Sequence, residues 1–519
     1  MRRLWSWIPL RPPWVGLALL FIFGLAAFFR VYDLGGRDLW TDEAWVALAA
    51  LQDTPQAALA ASQSTPPLYL LSVWALAQVG GNGEAVLRSL SLFFGLGTLA
   101  LFWPLALALT SRSASLLALA MVGFSPIMVY FSKELKQYSS DAFFAVLVFF
   151  LVERLRRGDN KWAWPALAVT GALGLGFSHT LVFILPAALA GLWFILPRSR
   201  RWRVALLGGV WAAAFTAVYF LFFRRQVDPE LVAYWAQDFP DFSGFGPFMW
   251  WLGGALYRYF HYFFGVWGLY WAPVLLAAGI VTLRRQGAGR ALLYLGGPLL
   301  LTLGAAALHR YPFMAHYGGN RLMLFSAPLL YLVAAAGLTA ILTRLWQKRQ
   351  KVAALALCGL ILLALKPSAM IRENLYPNYN REEIQPLVDH LQNRLRPRDW
   401  VYVYYFAASP FKYYFHGPGE RVCWGKSCYE TDLALPAVGT GPPRRVWLIA
   451  SHFPSLEDMR KFAGNLLGPQ WRETACLSRV SAALFCFEWQ GPQLAKSRTS
   501  LGEPGESGLP VPSPGKAYK

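Results

Sequence analysis

Apolar runs of about 20 residues recur along the chain, and they narrow the choice of fold more than any other feature. A helix of that length crosses roughly 30 Å of hydrocarbon. Lipid offers the backbone no hydrogen-bond partners, so such runs fold as helices, whose bonds are internal. The composition agrees: 56% of the 519 residues are hydrophobic and 15% are charged, whereas soluble domains carry about a quarter charged residues. The sequence predicts an α-helical multi-pass membrane protein. About eleven transmembrane helices are expected, at about 14–32, 89–110, 114–131, 139–155, 162–178, 180–197, 203–223, 265–283, 290–308, 322–344 and 351–366. The opening "MRRLWSWIPLRPPW" resembles a secretory leader, but no small-residue cleavage site follows, so the first run reads as a retained helix. "PLYLLSVWALAQVGG" at 67–81 is shorter and starts with two prolines; it reads as a helix along the membrane surface.

Charge sets the orientation. With the N-terminus cytoplasmic, the short inner loops hold 19 Lys and Arg and two acids, Glu153 and Asp159, so +17 of the formal +20 lies on one side. This is the positive-inside bias. The basic balance therefore signals topology and contact with membrane lipids, not nucleic acid. An inner (cell) membrane protein follows, with its C-terminal region outside.

Domains are expected at 1–370 (membrane domain with an outer first loop, 33–88), 371–490 (a small extracytoplasmic α/β domain) and 491–519 (a disordered tail rich in Pro, Gly and Ser). In the α/β domain "NREEIQPLVDHLQNRL" and "SLEDMRKFAGNLL" read as helices. "DWVYVYYF", "RRVWLIAS", "RETACLSR" and "SAALFCFEWQ" read as strands. Cys423, Cys428, Cys476 and Cys486 fall here. Two disulfides fit an oxidising compartment, neighbour pairing (Cys423–Cys428, Cys476–Cys486) being one of three connectivities. Zinc is the rival reading, though "CWGKSC" lacks the usual two-residue spacing.

Acids and bases gather on the outer face. "LWTDEAW" carries Asp42 and Glu43 between Trp40 and Trp45, just beyond the first span. Arg88 opens the second span. Lys133, Glu134, Lys136, Tyr138 and Asp141 follow the apolar "MVGFSPIMVYF", and Arg258, His309, His316 and Arg321 lie on later outer faces. Charged groups at bilayer depth are costly unless they are paired or face a cavity. One reading is a belt of solvated or headgroup-anchoring ions, with the tryptophans as interfacial anchors. The other is an active site that needs a carboxylate base and cations for a phosphate. "GLGTLA" at 95–100 fits a dinucleotide fingerprint but lies inside a span without a preceding strand, so it reads as helix packing.

The order "DLWTDEAW", "TPPLYLL", "EAVLRSLSLFFG", "YFSKELKQYS" resembles bacterial relatives of the protein O-mannosyltransferases, a group that includes the aminoarabinose transferase of lipid A. These are GT-C-type glycosyltransferases. The resemblance spans about residues 14–345. It implies transfer of a sugar from a polyprenyl-phosphate donor to a hydroxyl on a protein, lipid or polysaccharide acceptor. It also implies that Asp42 is the base, with Glu43 supporting it. Arg88, Lys133, Glu134, Lys136, Tyr138, Arg258 and Arg321 become candidates for substrate binding. The family's usual arginine in "ELR.Y" is Lys136 here, a point charge where a fork would sit. No cofactor is implied with certainty; a divalent cation stays open, because no histidine–glutamate metal pair is matched. The competing readings are a flippase or transporter of a polyprenyl-linked glycan, and a scaffold whose outer domain binds a partner.

Overall fold

The computed structural model describes residues 13–62, 64–158, 162–226, 234–266, 268–316, 319–365, 367–376, 382–425 and 444–490. The expected tail at 491–519 lies outside them. The chain divides into two compact units. One comprises residues 1–34, 62–79 and 85–377; the other comprises 35–61, 80–84 and 378–519. Residues 35–61, expected as a loop, thus belong with the C-terminal residues.

The first unit is helical. Among the described residues, five helical stretches are long and apolar enough to cross a membrane: Trp14–Val31, Glu84–Leu109, Arg198–Leu221, Arg290–Ala307 and Gly319–Gln347. The pair Phe245–Phe264 and Gly268–Arg285, broken beside Gly265 at φ +76°, makes a sixth if counted as one span. Other expected spans are shorter helices, among them Ala163–Gly174 and Leu181–Ile195. Pro67–Gly80 forms a helix of 14 residues, about 21 Å long and so short of a full crossing.

The span expected at 114–131 is two helices, Arg112–Phe124 and Pro126–Phe131. The cause is local. Pro126 pushes the residue before it out of the helical region, and Ser125 sits at φ −57°, ψ 119° with its hydroxyl accepting from Met128 N. The break orphans the carbonyls of the first helix's last turn. Buried Arg30 takes two of them, donating to Gly123 O at 2.8 Å and Val122 O at 3.2 Å.

Glycines fix another seam. A Cβ on Gly337 would collide with the carbonyl oxygen of Leu275, and one on Gly279 with that of Val333. Helices Gly268–Arg285 and Ala327–Gln347 therefore touch backbone to backbone, the close approach that small residues permit between membrane helices.

The second unit holds a five-stranded sheet. Its strands are β1 (Trp400–Val403), β2 (Val422–Trp424), β3 (Arg445–Ser451), β4 (Trp471–Arg479) and β5 (Ala482–Trp489), in the order β2-β1-β3-β5-β4. β1 runs parallel to β2 and β3; β5 runs antiparallel to β3 and β4. β1 is fully buried and β3 nearly so, as their unbroken apolar runs require. Leu387, Val388 and Leu391 of helix Gln385–Arg394, and Met459, Ala463 and Leu466 of helix Leu456–Leu467, complete one core with the strands. The latter helix starts at Ser455, whose hydroxyl accepts from Asp458 N at 3.1 Å. Arg445 pairs with Asp399, which also accepts from Trp447 Nε1 at 3.0 Å.

One disulfide expectation fails. Cys486 lies opposite Ala475 and Cys476 opposite Phe485, so the two sulfurs leave the sheet on opposite faces. Both are free thiols, Cys476 exposed and Cys486 buried. Cys428 lies outside the described residues, as does any bridge it makes.

Candidate active site

The acidic pair stands in the second unit. Asp42 and Glu43 occupy the first turn of helix Thr41–Ala50, where the helix dipole favours negative charge. Asp42 is half-buried and Glu43 fully buried, so the pair is not a stretch of solvated loop. Trp40 and Thr41 offer no side-chain cap of the usual kind. The carboxylate of Glu382 takes that place: its Oε2 accepts from Thr41 N at 3.1 Å and Thr41 Oγ1 at 3.2 Å. The single proton of the Thr41 hydroxyl is shared with Phe406 O, 2.5 Å away. Across from Thr41, Glu382 Oε1 is 3.8 Å from His452 Nδ1. His452 in turn lies against the rings of Trp40 and Phe406.

A second set of contacts anchors the extended segment entering this helix. Tyr414 Oη accepts from Leu39 N at 2.8 Å and donates to Glu84 Oε1 at 3.0 Å. Asp38 accepts from Gln385 N at 2.9 Å. Burial raises Asp38 to about 6, and the carboxylates of Glu383 and Glu84 add to the effect. Glu382, His452 and Tyr414 were not singled out by the sequence. Their signal is tertiary, since each lies more than 330 positions from the helix it positions.

The remaining candidates stand in the first unit, and they do not form one group. Glu134, Tyr138 and Arg321 converge. The Arg321 guanidinium stacks 5.5 Å from the centre of the Tyr138 ring, and Tyr262 lies within electrostatic reach of Arg321, Glu134 and Tyr138. Glu134 is fully buried. Arg321 lies in the 3₁₀ segment Gly319–Ser326, which leads directly into helix Ala327–Gln347. The turn that carries residues 132–137 is brought here by helices Pro126–Phe131 and Tyr138–Arg156.

Lys136, also buried, interacts electrostatically with His179. His179 Nε2 lies 3.1 Å from Ser64 O, and Gln226 donates to Thr65 O at 3.1 Å. The amides of Leu68 and Tyr69 donate to Gly176 O. The "STPPLY" turn is thus clamped beside Lys136 by His179 and Gln226, two residues that sequence reasoning passed over.

Three candidates hold backbone. Lys133 Nζ donates to Tyr32 O at 3.3 Å and Asn374 O at 3.2 Å. Arg88, fully buried, donates to Leu34 O at 3.1 Å. Arg258 donates through Nε to Met314 O at 2.6 Å, and its Nη1 lies 2.9 Å from His316 Nε2. His316 Nδ1 is 2.5 Å from the buried carboxylate of Asp238. That bond places the imidazole proton on Nδ1 and leaves Nε2 to accept from Arg258. Among the described residues no group of three or more His, Cys, Asp or Glu is arranged to hold a metal ion.

Comparison with known proteins places this geometry in context. Residues 64–223 match the family described as dolichyl-phosphate-mannose-protein mannosyltransferase. No curated protein matches the chain. Among solved structures, ArnT from Cupriavidus metallidurans in the apo state superposes with a TM-score of 0.54 at 13% identity, covering 91% of this chain and 98% of that one. The same protein bound to undecaprenyl phosphate gives 0.53 at 13% identity, covering 92% and 98%. The archaeal oligosaccharyltransferase AglB from Archaeoglobus fulgidus, in complex with an inhibitory peptide and a dolichol-phosphate, gives 0.53 at 11% identity, covering 92% and 74%. The likeness is one of fold: the chain is a multi-pass membrane protein of GT-C architecture with a small C-terminal sheet domain.

Proposed function

We propose that this protein is an integral membrane glycosyltransferase that moves a sugar from a polyprenyl-phosphate donor to an acceptor hydroxyl on the extracytoplasmic face of the cell membrane. The observation that carries the reading is the convergence of Arg321, Tyr138, Tyr262 and Glu134 among apolar helices, in a fold shared with a structure that holds undecaprenyl phosphate. Charged groups at such depth are costly unless they pair or face a cavity, and a cation, a carboxylate and two phenols gathered together support a cavity that receives an anionic substrate.

The chemistry assigns roles residue by residue. Asp42 takes the proton of the acceptor hydroxyl. The hydroxyl oxygen attacks the anomeric carbon, the bond from that carbon to the phosphate oxygen breaks, and the lipid phosphate leaves with its electrons. A carboxylate suffices as base. The leaving phosphate already departs easily, so no general acid is required, but charge developing on it is stabilised by preorganised cations. Arg321 and Lys136 take that role, with Tyr138 orienting Arg321. Glu43 supports the Asp42 turn. Lys133, Arg88 and Arg258, each bonded to backbone carbonyls, hold the frame in which the cations stand. The donor sugar is a hexose or pentose.

The test is direct. Purified full-length protein in detergent, given candidate polyprenyl-phosphate sugars and acceptors, should release polyprenyl phosphate in step with glycosylated product. Transport of an intact lipid-linked glycan in liposomes without any such release would overturn the reading.

A further inference from the structure

Asp238 and His316 take no part in the reaction proposed above, yet the fold binds them tightly. Asp238 closes the 3₁₀ turn Ala236–Asp238 and is 1% exposed. Its Oδ1 accepts from His316 N at 2.8 Å and lies 2.5 Å from His316 Nδ1. On the other side of the ring, His316 Nε2 accepts from Arg258 Nη1 at 2.9 Å. Carboxylate, imidazole and guanidinium thus form one chain. Trp251 Nε1 donates to Asp238 O at 3.1 Å, and Arg258 Nε takes the carbonyl of Met314. Met314 is held at φ +53°, where residues with side chains are seldom found. Strain of that kind persists where the surroundings over-determine it, and it gathers at binding sites.

Two atoms of this chain are left over. Asp238 Oδ2 and Arg258 Nη2 are both shielded from solvent, and neither has a hydrogen-bond partner among the described residues. Native structures rarely leave such groups unmatched unless something else meets them. One atom only accepts and the other only donates, so the complementary guest is a group that does both, a hydroxyl. Resting on the donor reading above, we propose that Asp238 and Arg258 receive one hydroxyl of the donor sugar and so decide which sugar is taken. The hydroxyl donates to Oδ2 and accepts from Nη2. Position fits this role. His316 O accepts from Gly319 N at 2.9 Å, which closes the turn into the 3₁₀ segment that carries Arg321. Arg258 precedes Tyr262 by one helical turn, about 6 Å along the axis. A pyranose ring covers such a length between its glycosidic oxygen and its far hydroxyls. The His316 side chain between the two groups is 45% exposed, which leaves the pair one side chain away from solvent.

The test titrates full-length protein in detergent with undecaprenyl phosphate and with its mannosyl, glucosyl, galactosyl and arabinosyl esters, then with the monodeoxy analogues of the tightest binder. Wild type should bind one glycosyl form more tightly than the bare lipid phosphate. Removal of one particular hydroxyl should weaken that binding about ten- to a hundredfold, the range for a hydrogen bond to a charged group. In Asp238→Asn the amide oxygen still accepts from His316 N, but the second position donates instead of accepting. The loss should fall on the glycosyl form far more than on the bare lipid, and the full sugar should bind no better than that deoxy analogue. Arg258→Lys keeps the charge without the fork and should lose the same hydroxyl, which decides the matter where Asp238→Asn does not fold. Discrimination for that hydroxyl kept in both variants would overturn the proposal and give the two atoms to a buried water. So would an equal loss for the bare lipid and every glycosyl form, the mark of residues that only staple loops. A wild type that binds undecaprenyl phosphate but gains nothing from any sugar sinks the subsite and leaves the phosphate site at Arg321 standing; one that binds neither sinks both.

Discussion

Glu382 receives both the backbone N–H and the hydroxyl of Thr41, at 3.1 and 3.2 Å. A carboxylate more than three hundred residues downstream thereby fixes the first turn of the helix that carries Asp42. Helices normally solve this problem with their own N-cap side chain; here Trp40 stands at that position and cannot.

Asp42→Asn is expected to fold, insert and bind the lipid donor, yet to lose transfer. Asparagine keeps size and polarity but takes no proton at neutral pH, and loss of a positioned base costs about 10²–10⁴ in rate. Glu43→Gln should cost less in rate. Near-normal turnover in Asp42→Asn beside a dead Glu43→Gln would reverse the assignment.

Glu382→Ala should slow transfer without touching substrate. It leaves Thr41 N–H unsatisfied in a buried position, a loss of about 1–3 kcal/mol. A lower thermal midpoint, together with reduced kcat at an unchanged donor KM, is the expected pattern. Glu382→Gln, whose amide oxygen still accepts, should recover most of both. Full activity in Glu382→Ala would show that the Asp42 turn holds its position unaided.

Lys133 and Lys136 should part company. Lys133→Ala uncovers the carbonyls of Tyr32 and Asn374 and should lower the thermal midpoint by the equivalent of about 1–3 kcal/mol. Lys136→Ala should weaken donor binding far more than Lys133→Ala does. Isothermal titration with a polyprenyl phosphate, beside thermal unfolding, separates the two; matching profiles for both variants would refute the division.

Asp38 gives a pH dependence of defined sign. Its folded value, about 6, lies above the ordinary 3.8, so between those values the folded state binds more protons than the unfolded one. Stability contributed by this group is therefore present at low pH, falls as pH rises through that window and is flat above it. Asp38→Asn should gain on the order of 1 kcal/mol at pH 7, after allowance for partial exposure, and almost nothing at pH 4. Thermal midpoints across that range check it; a constant difference between variant and wild type would contradict it.

Much of the architecture was legible because it rests on local rules. Unbroken apolar runs gave the five stretches that are long and apolar enough to cross a membrane among the described residues, and "DWVYVYYF" and "RRVWLIAS" gave β1 and β3, buried on both faces as such runs demand. What escaped was tertiary or came from single residues. Ser125–Pro126 split one expected span, a break visible in sequence but masked by the hydrophobicity on either side. Helix Phe245–Phe264 went unread because Trp, Tyr, Arg and His interrupt its apolar pattern. In the site, the sequence grouped Lys133 with Lys136 by proximity, yet neighbouring side chains in a tight turn point apart, and one amine went to carbonyls. His179, Glu382 and His452 carry no local motif; only folding reveals what they hold.

The glycine seam between helices Gly268–Arg285 and Ala327–Gln347 has a bearing on chemistry far from it. Backbone resting on backbone at Gly279 and Gly337 leaves neither helix free to roll about its own axis, since a slip of one residue means a turn of about 100°. Arg321 sits six residues before the second of these helices begins. The seam acts as a dowel: it sets the angle at which that guanidinium is presented, as a keyed shaft sets the angle of its wheel. Damage there should be felt as misaligned catalysis in a protein that still reaches the membrane.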